Sequence, residues 1–357
     1  MPLVAHSALP TFERLRQEGG TIIAPDRAIH QDIRELHIGL LNMMPDAALA
    51  ATERQFFRLV GESNQIAQFY IHPFSLKEIQ RAPEYQRYVE QYYEPFEKLK
   101  VEGLDALIIT GANVSQPDLA AESFWQPLIE VIDWAYHHVA STLCSCLATH
   151  AVLQFRHGQK RRSLPTKCWG VFGHRVIERN HPLVNGVNTC FDVPHSRFND
   201  ISHEQFEAAG LHVLVEGVQA GVHLAVSEDH FRLVYLQGHP EYDTNSLLKE
   251  YKRELHCFVQ GQRQDYPPYP DNYFGPTAQA ILEEYRDRLL QAQQRGKPLP
   301  EFPEALLVTL LDNTWHDTAE SVINNWVGKV YQTTNNDRRL QFMADVDPAD
   351  PLGVRRL

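Results

Sequence analysis

Hydrophobic residues along this chain form short apolar runs that alternate with segments of helical periodicity. The apolar runs lie at 36–44, 66–74, 106–110, 139–143 and 231–237. Nearly continuous runs of this length are typical of strands that are buried on both faces, as in a parallel sheet. The segments between the first four runs, and the one after the fourth, predict helices at 47–60, 84–99, 124–138 and 147–155. This alternation predicts an α/β protein with a doubly wound, mostly parallel sheet flanked by helices.

The pattern is less regular outside these elements. Residues 1–35 are mostly polar around one short predicted helix, and residues 156–230 suggest shorter strands and loops. Later segments predict helices at 244–259, 277–295 and 318–331, with a connector at 264–270 whose prolines cannot continue a helix. We therefore predict an N-terminal arm (1–35), a single α/β domain (36–332) and a polar C-terminal tail (333–357) that is frayed or bound to the surface.

Composition and charge narrow the function classes. The formal net charge of −12 argues against non-specific binding to nucleic acid or to an anionic membrane. No apolar run approaches the roughly 18 residues that span a bilayer. The five cysteines include no CxxC pair, and we find no secretory signal, which favours free thiols in a reducing cytoplasm over a disulfide framework or a metal site.

Cys146 is the first candidate for chemistry. The apolar run 139–143 leads directly to it, and the predicted helix 147–155 follows it. A sharp turn from strand to helix leaves the side chain at the turn exposed above the sheet, beside the positive end of the helix dipole and its free N–H groups. Such a position favours a nucleophilic thiolate and an oxyanion site. This local pattern alone leaves open that Cys146 is an inert buried thiol, and we interpret Cys144 as a core residue.

His239 and Glu241 are the next candidates. They belong to the sequence Gly238-His239-Pro240-Glu241, which directly follows the apolar run 231–237. The carboxyl ends of parallel strands meet at one edge of a sheet, so the imidazole could face Cys146. A carboxylate two residues later could hold the imidazole in one tautomer. The three residues predict a nucleophile, a general base and an orienting acid, with no metal ion.

These residues are part of a larger set of motifs. The others are Asn42-Met43-Met44-Pro45, Thr110-Gly111-Ala112, Pro194-His195-Ser196-Arg197 and Asn272-Tyr273-Phe274. In order and spacing the set resembles the homoserine O-succinyltransferase family, which is built on the class I glutamine amidotransferase-like fold, and the resemblance extends from about residue 36 to 326. It implies an acyltransferase of methionine biosynthesis that moves a succinyl group from succinyl-CoA to the hydroxyl of L-homoserine through an acyl-cysteine. It implies no cofactor, because acyl-CoA is a co-substrate, and it makes a homodimer plausible.

The resemblance also assigns roles to single residues. Cys146 matches the cysteine that carries the acyl thioester. Lys167 matches a lysine that contacts the substrate, and Ser196 a serine that bears on substrate choice. Arg253 matches the arginine that holds the homoserine carboxylate, a task that suits the bidentate guanidinium group. Without the resemblance, Lys167 and Arg253 would be interpreted as solvated surface charges.

The acyl donor is predicted from Ser115. This residue stands where the family carries Gly or Glu and where acyl-CoA choice is set. A glutamate would narrow the pocket and repel a succinyl carboxylate, whereas serine is small and uncharged. We therefore expect succinyl-CoA, with acetyl-CoA as the alternative donor. The basic stretch 156–162 could meet the phosphates of CoA or the distal succinyl carboxylate, or it could be a solvated loop.

Two other functions compete with acyl transfer. A glutamine amidotransferase-type amidase would use the same three residues, but Ser145 and Leu147 stand where that elbow has glycines, and no ATP-binding synthetase module is recognisable. A non-catalytic binding protein could retain the fold with an inert thiol. Ammonia release from glutamine would support the amidase, and an unreactive Cys146 would support the binding protein.

Overall fold

The computed structural model describes residues 3–31, 33–64 and 67–356, and the strands in these residues form one mixed sheet. The strands are β1 (Leu3–Val4), β2 (Ile22–Ile23), β3 (Glu35–Leu41), β4 (Gln68–Phe74), β5 (Ala106–Ile109), β6 (Ser141–Ser145), β7 (Arg162–Val176), β8 (Cys190–Asp200), β9 (His212–Gly217), β10 (Gly221–Val226) and β11 (Leu233–Leu236). Their spatial order is β2-β1-β4-β3-β5-β6-β11-β10-β9-β7-β8. Neighbours from β2 to β11 run parallel, and the remaining pairs are antiparallel. The predicted α/β class with a mostly parallel sheet is confirmed.

Helices cover the sheet on both faces. They are α1 (Pro10–Gln17), α2 (Pro25–Ile29), α3 (Asp46–Ser63), α4 (Pro83–Tyr92), α5 (Phe96–Glu102), α6 (Trp125–His138), α7 (Leu147–His157), α8 (His203–Ala208), α9 (Ser246–Val259), α10 (Pro276–Gln294), α11 (Glu304–Val308) and α12 (His316–Thr333). Alternate residues of a strand point to opposite faces. In β5, Ala106 and Ile108 accordingly pack into the core beneath α3 and α12, while Leu107 and Ile109 pack into the core beneath α6 and α7. Burial of both faces explains why the strands read as continuous apolar runs.

Two predicted elements were wrong. The helix expected at 84–99 is divided into α4 and α5, because Pro95 has no N–H and its ring excludes the carbonyl of the preceding helical turn. The region 156–230 was expected to hold short strands and loops. It contains β7, with 15 residues, and β8, with 11 residues, which pair as a long antiparallel ribbon. Much of β7 is exposed or half-buried, so its sequence lacks the continuous apolar run of a central strand.

Both ends of the described chain are held against the domain. β1 and β2 extend the sheet beyond β4. At the other end, the Gln341 side chain donates to the carbonyl oxygens of Tyr136 and Val139 at 2.8 and 2.9 Å. Gln341 thus fixes one point of the predicted tail to α6 and the residue after it, and the division into arm, domain and tail stays a prediction. The start predicted for the second strand, at residue 66, lies outside the described residues.

Within the described residues, no helix combines the length and the apolar character needed to cross a bilayer.

Candidate active site

Four strand ends meet at one edge of the sheet. β3, β5, β6 and β11 are consecutive neighbours and all run parallel, so their carboxyl ends lie side by side. Asn42 follows β3, Gly111 lies just after β5, Cys146 follows β6, and His239 follows β11. A Cβ atom added to Gly111 would lie 3.8 Å from Cβ of Cys146. The sheet therefore brings the predicted nucleophile and base to the same edge, where open α/β sheets bind ligands.

Cys146 lies in a strained turn between β6 and α7. Its φ of 50° and ψ of −105° lie in a region that non-glycine residues rarely adopt. Its own N–H donates to the carbonyl oxygen of Leu236 at 2.7 Å, which ties the turn to β11. The N–H groups of Leu147 and Ala148 open α7 and have no hydrogen-bond partner among the described residues. These two groups, and not the N–H of Cys146, are therefore available to an oxyanion.

His239 lies between Glu241 and Cys146. Its Nδ1 lies 2.8 Å from Oε1 of Glu241, and the ring is near enough to Cys146 for the charge of the sulfur to affect the pKa of the imidazole. Its backbone N–H donates to the carbonyl oxygen of Pro194 at 2.8 Å. The imidazole and the Glu241 carboxylate are both buried. The structure thus places His239 next to both Cys146 and Glu241, in the order that the sequence predicts.

The charge state of His239 follows from these neighbours. Burial by itself would lower the pKa of His239, but the charges of Glu241 and of the Cys146 thiolate outweigh it and raise the pKa well above its ordinary value of 6.5. At neutral pH the ring is therefore protonated beside the sulfur. A protonated imidazole beside a cysteine sulfur is the arrangement that activates a catalytic cysteine.

Gly238 is required for this position of His239. A Cβ atom at residue 238 would lie 2.5 Å from Cγ1 of Val193, 2.8 Å from Nε2 of His195 and 2.9 Å from Nδ1 of His223. The backbone before His239 can approach β8 and β10 this closely only without a side chain. The glycine of the Gly-His-Pro-Glu sequence thus allows the backbone before His239 to pack closely against the sheet.

Lys167 and Ser196 meet at a residue that the sequence reasoning missed. Nζ of Lys167 lies 3.1 Å from Oε2 of Glu250, and the Ser196 hydroxyl donates to the same oxygen at 2.6 Å. The Tyr242 hydroxyl donates to Oε1 at 2.8 Å. The Tyr242 ring stacks on His239, with centroids 4.4 Å apart. Glu250 therefore connects the predicted substrate residues to the catalytic histidine.

Glu250 carries a buried negative charge. Burial alone would raise the pKa of its carboxyl group, but the Lys167 ammonium and the Ser196 hydroxyl outweigh burial and lower it. A signal for Glu250 was present in the sequence, because it precedes Arg253 by three residues on a predicted helix and so shares its face.

Arg253 lies one turn beyond Glu250 on α9. Its side chain is 61% exposed, and its ion pair with Glu254 is long, at 3.8 Å. The structure therefore does not bring Arg253 into the Lys167–Ser196–Glu250 cluster. Its guanidinium group is instead open to a ligand that approaches this face of α9.

Ser115 is exposed in the loop that follows β5. Its N–H and that of Gln116 both donate to Oε1 of Glu122, at 2.6 Å each. The loop begins at Gly111, beside Cys146. A carboxylate therefore does stand next to Ser115, although it comes from Glu122 and is engaged by two backbone donors. Sequence reasoning missed Glu122, seven residues away.

The basic stretch 156–162 is not a uniform solvated loop. The Arg156 guanidinium stacks on the Tyr136 ring, 3.5 Å from its centroid. Lys160 pairs with Asp118 at 2.5 Å. Arg161 donates from Nη2 to the carbonyl oxygen of Gln116 at 3.0 Å, which brings it to the loop of Ser115. These three cations thus have different environments, which the tertiary structure distinguishes and the local sequence does not.

Two side-chain groups elsewhere have the composition of metal ligands. They are His6 with His72 and Glu94, and Glu62 with His316 and Glu320. In the first group, His72 already lies 2.5 Å from Glu94 and 2.9 Å from His37, so both of its ring nitrogens are engaged. Neither group includes a residue of the cysteine site.

Comparison with known proteins places the chain in a family. Among solved structures it is similar to a glutamine amidotransferase from Thermotoga maritima, with a TM-score of 0.42 and 10% identity over 85% of this chain and 100% of that one. It is 70% identical over 356 residues to the homoserine O-succinyltransferase of Nitrosococcus oceani, covering 100% of this chain and 99% of that protein. It is 69% identical over 354 residues to that of Allochromatium vinosum, covering 99% of each. The family model for homoserine O-succinyltransferase matches residues 2–336. From that match and these two relatives, the chain belongs to the homoserine O-succinyltransferase family.

Proposed function

We propose that this protein is a homoserine O-succinyltransferase of methionine biosynthesis. It transfers the succinyl group of succinyl-CoA to the hydroxyl of L-homoserine through a succinyl-cysteine at Cys146. One observation carries the mechanism: Cys146, in its strained turn, lies beside a His239 that pairs with Glu241. Full-length identity to enzymes of this name supports the substrates and disfavours acetyl-CoA.

The first half-reaction loads the enzyme. The Cys146 thiolate attacks the carbonyl carbon of the succinyl thioester, and the new C–S bond places negative charge on the carbonyl oxygen. The N–H groups of Leu147 and Ala148 are available to stabilise this oxyanion. The intermediate collapses by breaking the bond to the CoA sulfur, which takes the proton from the His239 imidazolium. The products are free CoA, a neutral His239 and a succinyl-cysteine.

The second half-reaction passes the acyl group to homoserine. The α-carboxylate binds the cations Arg253 and Lys167, and the Glu250 carboxylate accepts from the α-ammonium group. The neutral His239 removes the proton from the γ-hydroxyl as its oxygen attacks the thioester carbonyl. Collapse then expels the Cys146 thiolate beside a protonated His239. Burial of His239 limits the access of water, which would otherwise hydrolyse the thioester.

Glu250 supplies a test of the homoserine half of this proposal. We expect Glu250→Gln to raise the KM for L-homoserine by about 10- to 100-fold, because a charged partner of the ammonium group is lost. Loading of Cys146 should change little, since the succinyl donor does not need Glu250. Steady-state kinetics with homoserine varied, together with the burst of CoA released without homoserine, separates the two steps. Glu254→Gln on the same helix is the matched control. Equal losses in loading and transfer would contradict the assignment.

The activity itself is tested by CoA release. Purified protein with L-homoserine is given succinyl-CoA or acetyl-CoA, and free thiol and acyl-homoserine are measured in parallel. We expect rapid release with succinyl-CoA and slow release with acetyl-CoA, in line with the small, uncharged Ser115. Preference for acetyl-CoA would retain the mechanism and overturn the donor. Ammonia release from glutamine, with no transfer from either donor, would restore the amidase.

The proposal extends to the cofactor, the cellular compartment and the oligomeric state of the enzyme. The chemistry needs no cofactor, because the thioester supplies the activated acyl group. A reducing cytoplasm suits a catalytic thiol that must stay free, and the described residues hold all five cysteines as free thiols. A homodimer is proposed from the family resemblance alone.

A further inference from the structure

Selection of a succinyl donor poses a specific chemical problem. Succinyl differs from acetyl by an added methylene and a distal carboxylate, which an extended chain carries roughly 5 Å beyond the sulfur. Such a carboxylate needs a cation close to Cys146, since burying it unpaired would be costly. The cations Lys167 and Arg253 are assigned above to homoserine. The donor carboxylate therefore requires a different partner.

Arg161 stands at the place where this partner is needed. It directly precedes β7, and the charge of Cys146 is among the charges that act on the pKa of its guanidinium. Its Nη2 donates to the carbonyl oxygens of Gln116 and Pro117 at 3.0 and 3.4 Å. These bonds anchor the side chain on the loop that carries Ser115. The guanidinium is thus held against the loop where acyl choice is expected, and that loop begins beside Cys146.

Arg161 also keeps donor capacity. Its Nε is buried and has no hydrogen-bond partner among the described residues. Burial lowers the pKa of Arg161, while the charges of Glu122 and Cys146 oppose that effect, and an arginine remains charged throughout. A buried, charged donor without a partner costs free energy unless a ligand satisfies it. Lys160 is engaged by Asp118 and Arg156 by the Tyr136 ring, whereas Arg162 is exposed at the start of β7.

We propose that the Arg161 guanidinium binds the distal carboxylate of the succinyl group, in the donor and in the succinyl-cysteine, and so selects succinyl over acetyl. The inference rests on the proposed function and deepens it. A planar guanidinium suits a carboxylate because it offers parallel N–H donors. The Glu122 carboxylate does not compete with the succinyl carboxylate for Arg161, because its Oε1 accepts hydrogen bonds from the N–H groups of Ser115 and Gln116.

The decisive measurement is the donor preference of Arg161→Gln. We expect kcat/KM with succinyl-CoA to fall about 100-fold, as when one partner of a buried charge pair is removed. With acetyl-CoA, which has no distal carboxylate, kcat/KM should change by less than about 3-fold. Arg175→Gln, at an exposed arginine of β7, is the matched control and should leave both values unchanged. Equal losses with both donors, or no loss with succinyl-CoA, would overturn the proposal.

A second variant excludes an indirect effect through the loop. Glu122 holds the same loop from its N–H side. If Arg161 acted only by supporting the loop, Glu122→Gln would also reduce the preference for succinyl-CoA. If Arg161 binds the carboxylate, Glu122→Gln removes a nearby negative charge and should maintain or increase that preference. A fall that matches the fall in Arg161→Gln would assign Arg161 to support of the loop.

A binding assay separates this inference from the proposed function. Alkylation of Cys146 by iodoacetamide is followed with succinamate or acetamide present, because succinamate carries the distal carboxylate and acetamide does not. We expect succinamate to protect the wild type and not Arg161→Gln, and acetamide to protect neither. Protection that is equal in both proteins overturns the role of Arg161. Selective protection without any transfer to homoserine would retain that role and overturn the proposed function.

Discussion

Replacing Cys146 with alanine is expected to abolish succinyl transfer, with kcat/KM falling by at least about 10⁴-fold. Alanine keeps the turn compact but removes the sulfur that forms the acyl bond, and no second route to a covalent intermediate remains. Intact-protein mass spectrometry after incubation with succinyl-CoA alone checks the cause directly. The wild type should gain the mass of one succinyl group, and Cys146→Ala should gain none.

Cys190→Ala is the matched control for this experiment. Cys190 is an exposed thiol at the start of β8, so its loss should leave both activity and acylation intact. Cys144 is a poorer control, because it is fully buried in the core, where burial raises the pKa of its thiol. Retention of substantial activity by Cys146→Ala, or a succinyl group on another residue, would show that the nucleophile is elsewhere.

The second large effect is expected for Glu241→Gln. The Glu241 charge helps to keep the pKa of His239 well above 6.5. Without it that pKa falls, so at neutral pH fewer molecules carry the imidazolium that stabilises a thiolate. We expect kcat to fall roughly 10⁴-fold, the scale of loss when the orienting carboxylate of a triad is neutralised. The rate of Cys146 alkylation, measured against pH, should also shift to higher pH, since the thiolate then forms without help from an imidazolium.

The pair of His203 and Glu216 offers a control for Glu241→Gln. Nδ1 of His203 lies 3.0 Å from Glu216 at the half-buried edge of β9, away from Cys146. Glu216→Gln should alter neither kcat nor the alkylation profile. An unchanged alkylation profile in Glu241→Gln, with kcat still reduced, would show that Glu241 orients the ring without setting its charge.

The central strands and the cysteine turn were predictable from local pattern. Runs such as 106–110 and 231–237 are mostly apolar because both faces of the sheet are buried. The ribbon of β7 and β8 escaped prediction because β7 has exposed and half-buried residues over most of its first half. Its pairing partner, not its own hydrophobicity, makes it a strand. Pro95, in contrast, was a visible helix breaker that the interpretation of 84–99 passed over.

Contacts between distant residues lay beyond the sequence. Glu250 connects Lys167, Ser196 and Tyr242, residues that are up to 83 positions away along the chain. Arg161 reaches Gln116, 45 positions earlier. A solvated lysine and a ligand-binding lysine have the same local pattern, so only the fold separates them. The same holds for the three cations at 156–161.

Sequence alone was enough for the α/β class and for Cys146, His239 and Glu241 as candidates, because hydrophobic period and strand-to-helix turns are local properties. The tertiary structure decided which groups face the sulfur and in which charge state. In the folded chain, the N–H of Cys146 donates to the carbonyl oxygen of Leu236, and Arg161 contacts the loop of Ser115. Burial and the charges of Glu241 and Cys146 together set the pKa of His239. Electrostatic interactions depend on distance and burial, and both are set only when the fold brings the strand ends together.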